Sequence, residues 1–502
     1  MSYLNVLAVL AAVPVVVVLV HLLIYLVDPY GIRHYPGPFL AKFSDAWLGY
    51  ISKQGHRSEV IHEMHLKYGP FVRISPSEVS IADPDALGIV YAHGNGALKS
   101  SFYDAFVSIE RGLFNTRDRK QHARKRKIVS HIFSQKVCRR IRAAHPLVHQ
   151  HAPRAMGTAS ASAPKRGSQA QMATEVGWDA TPVVTAPPVP TSNPASATVS
   201  EKEASDDITY IPAVAVLNGR GEYTMSMGVL PAFVRPIIKR LIPWYARGLQ
   251  DVQYLAGIAI VAVAKRLGQP SDRVDLLSKL QAGTDDNGAP MGRPELTAEA
   301  LTLLIAGSDT TSNSTCAIIY YLAKNPAAQA KLQQELDEQL GIEDELVATA
   351  EQVKRLPYLD ACINEALRLH STSALGLPRV VPEGGLVIGE HPFPAGTVLS
   401  VPSYTIHRDP AVWGVDVEAF RPERWFEDGK EKREHTFNPF SVGPRACVGR
   451  NLASLELQMI VASILRRYEF VLERPGEELA TREGFLRKPL RCDVGIRRRE
   501  LL

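Results

Sequence analysis

The sequence predicts a mainly α-helical protein with small β-sheets, and two kinds of pattern support this fold class. Short apolar segments bounded by glycine and proline predict strands, with one hairpin near residues 71–82 and a strand-and-turn region over about 375–403. Helical periodicity dominates from about residue 207 to 473, with long runs near 296–324, 327–340 and 357–370. We therefore expect an α+β protein whose core is built mostly by helices.

Length and composition indicate a globular protein rather than a disordered or fibrous one. Of the 502 residues, 45% are hydrophobic and 22% are charged, and the formal net charge is +5. So mild a charge predicts no nucleic-acid partner. The cysteines are odd in number and widely spaced, which disfavours a disulfide framework or a four-cysteine zinc site; they are Cys138, Cys316, Cys362, Cys447 and Cys492.

An apolar run at the amino terminus predicts a single membrane anchor. As a helix, Leu4 to Val27 would span about 36 Å, enough to cross a bilayer with some tilt. Basic residues follow this run (Arg33, Lys42) and none precedes it, which disfavours a cleaved signal peptide and places the body of the protein in the cytosol. A buried core helix is the other interpretation. The expected division is an anchor over 1–28, a proline-rich hinge over 29–40 and a globular domain over 41–502.

One internal segment differs in composition from the rest of the chain. Thirty of the 50 residues from 151 to 200 are Ala, Pro, Ser or Thr, and none is Leu, Ile, Phe or Tyr. Such a segment buries too little apolar surface to offset the entropy of ordering it. We expect an anomalous, disordered region over about 138–205.

The strongest motif is a glycine-containing loop around one cysteine, Phe440-Ser-Val-Gly443-Pro-Arg445-Ala-Cys447-Val-Gly449. Gly443 permits a tight turn beneath a flat ligand, and Arg445 offers a fork of donors to a carboxylate. Cys447 lies just before a predicted amphipathic helix over residues 450–467, whose amino terminus would stabilise a thiolate able to bind iron. A buried structural cysteine is the alternative, but five matched positions in ten residues favour a ligand site.

A second motif lies inside the long apolar helix near residues 297–324. In Ala306-Gly307-Ser308-Asp309-Thr310-Thr311, Gly307 lets a ligand approach the backbone, and Asp309 and Thr310 put an acid and a hydroxyl beside that gap. A threonine hydroxyl can also bond back along the helix and loosen it locally. The pair could relay protons to dioxygen; a polar kink used for packing is the alternative.

Charged residues supply two weaker signals. Glu365 and Arg368 lie on one helix face, and Arg424 could complete a buried network with them, although an exposed pair of this kind contributes little. A basic cluster from Arg117 to Lys127 suits a solvated helix face. It also suits an anionic partner, either an electron-transfer protein or the carboxylates of a cofactor.

In this order and spacing, the motifs resemble those of the cytochrome P-450 haem-thiolate monooxygenases, and the likeness covers most of the chain. The resemblance implies the P-450 fold with an N-terminal transmembrane helix, haem b as cofactor, and a small aromatic substrate oxidised with O2. It implies electrons from NADPH, delivered by NADPH–cytochrome P-450 reductase. It also implies location at the endoplasmic reticulum membrane, with residues 41–502 as a cytosolic monooxygenase domain.

The resemblance also assigns roles to single residues. Cys447 becomes the axial ligand of the haem iron, and Asp309 with Thr310 becomes the acid–alcohol pair of proton delivery and dioxygen activation. Glu365, Arg368 and Arg424 match a structural triad. The positions that shape the cysteine loop are Phe440, Gly443, Arg445 and Gly449. Those whose side chains meet the haem propionates are His122, Arg126 and Arg379, and His122 stands where many members carry tryptophan.

Within this family the sequence resembles the fungal benzoate 4-monooxygenases most. The segments that carry this likeness begin at Arg111, Glu295, His370 and Phe393. They imply para-hydroxylation of benzoate or a related small aromatic acid. The aromatic residues of Ser101-Phe102-Tyr103-Asp104 are candidates for the substrate pocket, with core packing as their alternative role. O-demethylation of another phenolic is a second enzymatic interpretation.

The segment 138–205 departs from the family pattern, which calls for helices that help to roof the active site there. A retained intron or a shifted reading frame would explain the change in composition. A non-catalytic haem-binding product is therefore a third interpretation.

Overall fold

A computed structural model describes residues 3–130, 132–133, 213–269, 275–285, 287–340 and 347–499, with residues 3–14 and 213 described by their backbone alone. The segment 138–205, for which we predict disorder, lies outside these residues. In the described part, helices outnumber strands and most strands have two to five residues. The mainly α fold class with small sheets is therefore confirmed.

The helices form most of the described chain. The longer ones are Tyr3–Val27, Ala46–Gln54, Arg57–Tyr68, Arg119–Ser130, Ala213–Val229, Pro243–Leu267, Arg293–Lys324, Pro326–Leu340, Pro357–Leu369 and Arg450–Arg467. The shorter α-helices are Ala86–Val90, Arg235–Leu241, Leu276–Ala282, Ala350–Val353, Ser403–Ile406, Pro410–Trp413 and Lys430–Thr436. Single 3-10 turns lie at Leu40–Lys42, Ser101–Phe106, Pro422–Phe426 and Gly443–Arg445.

The strands form one five-stranded sheet and three hairpin-like pairs. The large sheet has the order β1-β2-β7-β4-β3, with β2 and β7 parallel and the other neighbours antiparallel. The strands are β1 Phe71–Arg73, β2 Glu78–Ile81, β3 Leu98–Lys99, β4 Arg379–Val380, β5 Leu386–Ile388, β6 His391–Phe393, β7 Val398–Ser400, β8 Tyr468–Leu472, β9 Thr481–Glu483, β10 Arg487–Pro489 and β11 Val494–Arg498. The predicted hairpin near 71–82 is β1 and β2, with Phe71 opposite Ile81.

The helix Arg293–Lys324, here called the central helix, organises the core. Its 32 residues extend for about 48 Å, so it reaches across the whole domain. Its carboxyl half is buried and packs with the helices Pro326–Leu340, Pro357–Leu369 and Arg450–Arg467 in the largest apolar cluster. Its middle, around Ala306 and Gly307, is exposed instead. The mid-helix exposure shows that the central helix borders an open space there.

The amino terminus forms the helix Tyr3–Val27, and the side chains described from Val15 to Val27 are largely apolar and exposed. Within the part of the chain that the structure describes, no helix combines the length and apolar composition that a membrane span requires. The transmembrane helix predicted for residues 1–28 is therefore not borne out, and side chains of that segment are described only from residue 15 onward. The predicted limits at residues 28 and 40 stay predictions.

Candidate active site

A large cavity lies between the central helix and the loop Phe440–Gly449, here called the cysteine loop. It contains about 1370 Å³ of empty space, which includes open solvent at its mouth. Its wall is mostly apolar, and its polar and charged groups gather at a few points. The lining includes the predicted residues Thr310, His122, Arg126, Arg379, Phe440, Arg445 and Cys447. The structure thus brings these residues from four separate segments of sequence to one space.

Backbone contacts hold the cysteine loop in place. The amide of Cys447 donates a hydrogen bond to the carbonyl of Phe440 over 2.8 Å, which closes the loop into a tight turn. Gly443 has φ of +73°, and a Cβ atom added there would lie 1.7 Å from the carbonyl oxygen of Tyr91. A Cβ on Gly449 would lie 3.9 Å from the Cys447 sulfur, an ordinary contact. The loop therefore requires glycine at position 443 for both conformation and space.

We expect Gly443→Ala to disrupt the cysteine loop. The left-handed backbone and the overlap with Tyr91 would force one of the two segments to move, which lowers the stability of the folded state by about 3 kcal/mol or more. Thermal unfolding and cofactor content measure this loss. Gly476→Ala is the matched control, since a Cβ there meets nothing within 4 Å. Equal stability of the two variants would contradict the assignment of Gly443.

The Cys447 thiol faces the cavity. Burial raises its pKa, and the amide of Gly449, the charges of Arg450 and Arg126, and the amide of Arg450 oppose this rise. The helix that begins at Arg450 thus favours the thiolate, but in the protein alone desolvation by the surrounding groups outweighs this effect, although the side chain itself is exposed to the cavity. A bound metal ion would favour the thiolate form of Cys447 instead, because a thiol that coordinates a metal loses its proton.

Positive charge gathers at one end of the cavity. Strands β3 and β4 place Lys99 directly opposite Arg379, and Arg126 and Arg445 lie near them. Burial, and then the charges of these three arginines, lowers the pKa of Lys99 well below its usual value. Burial, and then the charges of Arg445, Lys99, Arg126 and Arg379, lowers the pKa of His122 to about 3.

Glu299 is the only carboxylate of the described residues in the cavity wall, and it accepts a hydrogen bond from the amide of Leu113, whereas Nη2 of Arg379 is buried in the wall without a hydrogen-bond partner. Like charges placed opposite each other in a sheet destabilise it. The cluster of cations therefore calls for an anionic ligand that the described chain does not provide.

The comparisons with known proteins give the family of this chain. The family model for cytochrome P450, here written P-450, matches residues 36–495. This chain is a cytochrome P-450. Benzoate 4-monooxygenase bphA of Aspergillus niger is 45% identical over 95% of this chain and 96% of its own length. Cytochrome P450 monooxygenase cicH of Emericella nidulans is 29% identical, over 93% of this chain and 94% of its own length. Tryprostatin B 6-hydroxylase of Neosartorya fischeri is also 29% identical, over 89% of this chain and 78% of its own length.

This P-450 is a monooxygenase that uses haem and electrons supplied from NADPH by a reductase, and its residues fit that cofactor. The cations Lys99, Arg126, Arg379 and Arg445 suit the two propionates of a haem. Cys447 lines the same cavity and would supply a thiolate to the iron, and Gly443 keeps its loop tight. When bound, a haem ligated by a thiolate supplies the electron-transfer and dioxygen chemistry of the reaction.

The central helix separates the two members of the predicted acid–alcohol pair. Thr310 lines the cavity, and its hydroxyl donates to the carbonyl of Ala306 over 2.6 Å. Asp309 lies outside the cavity wall, in an adjoining cleft, where its Oδ2 is 2.7 Å from Nζ of Lys488. The amide of Asn313 donates to its Oδ1 over 3.1 Å. The structure therefore brings Thr310 to the site and holds Asp309 in an ion pair beside it.

The predicted triad forms a fully buried network away from the cavity. Arg368 donates to both oxygens of Glu365 over 2.9 and 3.0 Å, and Nε of Arg424 donates to Oε1 over 2.8 Å. The indole of Trp425 and the amide of Arg421 complete the partners of this carboxylate. The remaining guanidinium nitrogens donate to backbone carbonyls. Nη1 of Arg368, for example, donates to the carbonyl of His407. The network ties the helix Pro357–Leu369 to the segment around residue 424.

Sequence reasoning missed several residues of the cavity wall. Lys99 lies in the two-residue strand β3, for which the sequence carries no local signal. Phe485 reaches the cavity from the β9–β10 turn, where nothing in the sequence indicates it. Glu299, two turns before Ala306, was read as part of an apolar helix. Of the candidates at 101–104, Tyr103 lines the cavity, whereas Asp104 pairs with Arg111 and Arg117.

Proposed function

We propose that this P-450 hydroxylates benzoate, or a related small aromatic acid, at the para position. The observation that carries the proposal is 45% identity to benzoate 4-monooxygenase over 95% of the chain. Identity at this level and over this length does not favour O-demethylation of another phenolic, or a non-catalytic haem-binding product. O2 and reductase-supplied electrons are the other requirements of the reaction.

The cavity wall supports an aromatic substrate. The ring centroids of Tyr103 and Phe114 are 5.5 Å apart with an interplanar angle of 65°, and those of Phe114 and Phe485 are 5.2 Å apart at 72°. All three residues line the cavity together with Leu377 and Leu486. Rings arranged edge to face present both edges and faces to a flat aromatic ligand. A planar ring with one polar substituent suits this wall.

We assign roles to the chain's own residues as follows. Cys447 would hold the haem iron, and the cations around Arg379 would hold its propionates. Thr310 presents a hydroxyl to the cavity and positions protons there. Asp309 exchanges protons with solvent through the cleft that it shares with Lys488. Glu365, Arg368 and Arg424 keep the helix Pro357–Leu369 joined to the segment around residue 424.

The experiment that tests the proposed function uses the full chain in membranes with NADPH and its reductase. Incubation with benzoate should yield 4-hydroxybenzoate, identified by chromatography against the 2- and 3-hydroxy isomers. A parallel incubation with 4-methoxybenzoate measures O-demethylation. Faster turnover of the ether, or a different isomer from benzoate, would overturn the proposal.

We expect Thr310→Ala to uncouple electron use from product formation. Loss of the hydroxyl removes a proton-positioning group from the cavity, so product formed per NADPH should fall by about tenfold or more. The measurement compares NADPH consumption with product in one reaction. Ser308→Ala is the control, since its hydroxyl also bonds back along the helix, to Leu304 over 2.7 Å, but does not line the cavity. Unchanged coupling in Thr310→Ala would contradict the role.

We also propose that residues 1–28 anchor the protein in the endoplasmic reticulum membrane, with the catalytic domain in the cytosol. The exposed apolar side chains from Val15 to Val27 support the proposal, because such a surface is unfavourable in water. Asp28 accepts hydrogen bonds from the amides of Ile32 and Arg33, both over 3.0 Å, and ends the helix there. Retention of the full chain in carbonate-washed membranes is the expected result, and release into the supernatant would contradict the anchor.

A further inference from the structure

One buried carboxyl group at the cavity has no role in the reaction as described so far. Glu299 lies on the central helix, is 0% exposed and belongs to the cavity wall. Its Oε1 accepts a hydrogen bond from the amide of Leu113, and its Oε2 finds no partner among the described residues. An ionised carboxylate buried with a bare oxygen is costly, so the neutral acid is the form that this environment favours.

The charged neighbours do not neutralise this group. Lys125 and Arg124, on the helix Arg119–Ser130, both contact Oε1 of Glu295 rather than Glu299. Glu295 lies one turn before Glu299 on the central helix, and its charge disfavours a second anion. Burial is the largest influence and raises the pKa of Glu299 to about 7, despite the opposing effects of the Leu113 amide and of Lys125.

The hydrogen bond from Leu113 gives this acid a mechanical role. The segment Gly112–Phe114 packs directly on the central helix: a Cβ on Gly112 would lie 3.0 Å from the Thr302 hydroxyl and 3.5 Å from the Glu299 carboxyl. Leu113 and Phe114 both line the cavity. The carboxyl group of Glu299 is thus the polar contact that joins this wall segment to the central helix.

We propose that Glu299 is a positioning and specificity-determining residue. As a neutral acid it holds the Gly112–Phe114 segment in place. It also keeps this part of the cavity wall free of negative charge, so that a carboxylate substrate is not repelled. The inference rests on the proposed function, because only an anionic substrate would be excluded by a charge at this position. Ionisation of Glu299 would strengthen the hydrogen bond from Leu113, but it would also bury an anion with one unpaired oxygen beside the cavity and repel the substrate.

The test measures the affinity of the haem-loaded full chain for benzoate at pH 6 and at pH 8. The spectral change on binding reports the bound fraction. Benzoate stays ionised over this range, so only the protein titrates. If the neutral form binds and the pKa is about 7, the dissociation constant rises by about tenfold from pH 6 to pH 8. Benzamide, an uncharged analogue of similar shape, should show a smaller rise, because the charge of an ionised Glu299 does not repel it.

Glu299→Gln keeps a neutral side chain that can accept the Leu113 amide, so it should preserve the pH 6 affinity and abolish the pH dependence. Glu110→Gln is the matched control, with the same change on an exposed residue of the same loop, and it should keep the wild-type pH dependence. A pH dependence in Glu299→Gln equal to that of the wild type would overturn the proposal, as would a pH-independent affinity of the wild type for benzoate.

An infrared measurement separates this inference from the choice of substrate. At pH 6 the wild type should show the carbonyl band of a protonated buried carboxyl that Glu299→Gln lacks, and the band should disappear as the pH rises through 7. Its absence from the wild type at pH 6 overturns the neutral acid without any use of substrate. If the band is present and benzoate does not bind at any pH, the proposed substrate is wrong and the neutral state of Glu299 stands.

Discussion

Replacing Cys447 with serine is expected to abolish the thiolate-ligated haem and, with it, the monooxygenase activity. Cys447 is the only cysteine among the described residues that lines the cavity, and a serine hydroxyl does not supply a thiolate. The reduced, CO-bound protein should lack the red-shifted Soret band of thiolate-ligated haem. Turnover should fall by more than about a thousandfold, as for the loss of a group on which the whole reaction depends.

The control for this variant is Cys492→Ser. Cys492 is buried near the carboxyl terminus and lies outside the cavity wall, so the same chemical change there should leave the Soret band in place. Haem content should be measured for both variants, because a lost band with full haem content shows a changed ligand. Retention of the red-shifted band in Cys447→Ser would refute the assignment of Cys447 as the axial ligand.

Glu365→Gln is expected to have the largest effect on stability. The carboxylate of Glu365 balances two buried guanidinium groups, and the side chains of Glu365, Arg368 and Arg424 are at most 1% exposed. Removing its charge takes away the carboxylate that Arg368 pairs with and leaves Arg424 with Asp416, whose Oδ1 is 3.4 Å from Nη1, and breaking a buried pair in this way costs about 3–5 kcal/mol. Hydrogen bonds to the Trp425 indole and the Arg421 amide would be weakened as well. Much of the protein should then fail to accumulate in its haem-bound form.

Denaturant unfolding of the haem-bound protein and the yield of haem-bound protein in membranes measure this effect. Glu478→Gln is the control, because Glu478 pairs with Lys324 over 2.7 Å while 86% of its side chain is exposed. That exposed pair should contribute about 1 kcal/mol or less. If the two glutamine variants lost the same free energy of unfolding, the buried network would not have the structural role that its geometry indicates.

The parts of the site that could be predicted from the sequence are those with a local signal. Glu365 and Arg368 are three residues apart on a helix, so their contact follows from helical geometry. The glycines around Cys447 and the helix that follows indicate a tight turn at a helix start, and Gly443 has the positive φ that only glycine adopts readily. The amphipathic segments gave the central helix and its neighbours to within a few residues.

Other features depended on which face of an element meets which neighbour. Asp309 and Thr310 are adjacent in sequence, and adjacent residues point about 100° apart on a helix, so one can face the cavity while the other pairs with Lys488. The sequence analysis assigned Asp309 and Thr310 to one site, because the sequence contains no information on the position of β10, the strand that carries Lys488. The membrane span expected from the apolar run at residues 4–27 likewise is not found in the described helices.

The sequence by itself determined the fold class, the family-like motifs and the chemistry of a lone thiolate, because these rest on residue type and on spacings of a few residues. Only the tertiary structure decided that Lys99 lies opposite Arg379, and that Glu299 meets the amide of Leu113, which is 186 residues away along the chain. Contacts over such separations depend on how strands pair and helices pack. A buried lysine or glutamate therefore reveals its role only when its neighbours, its burial and its missing partners are known together.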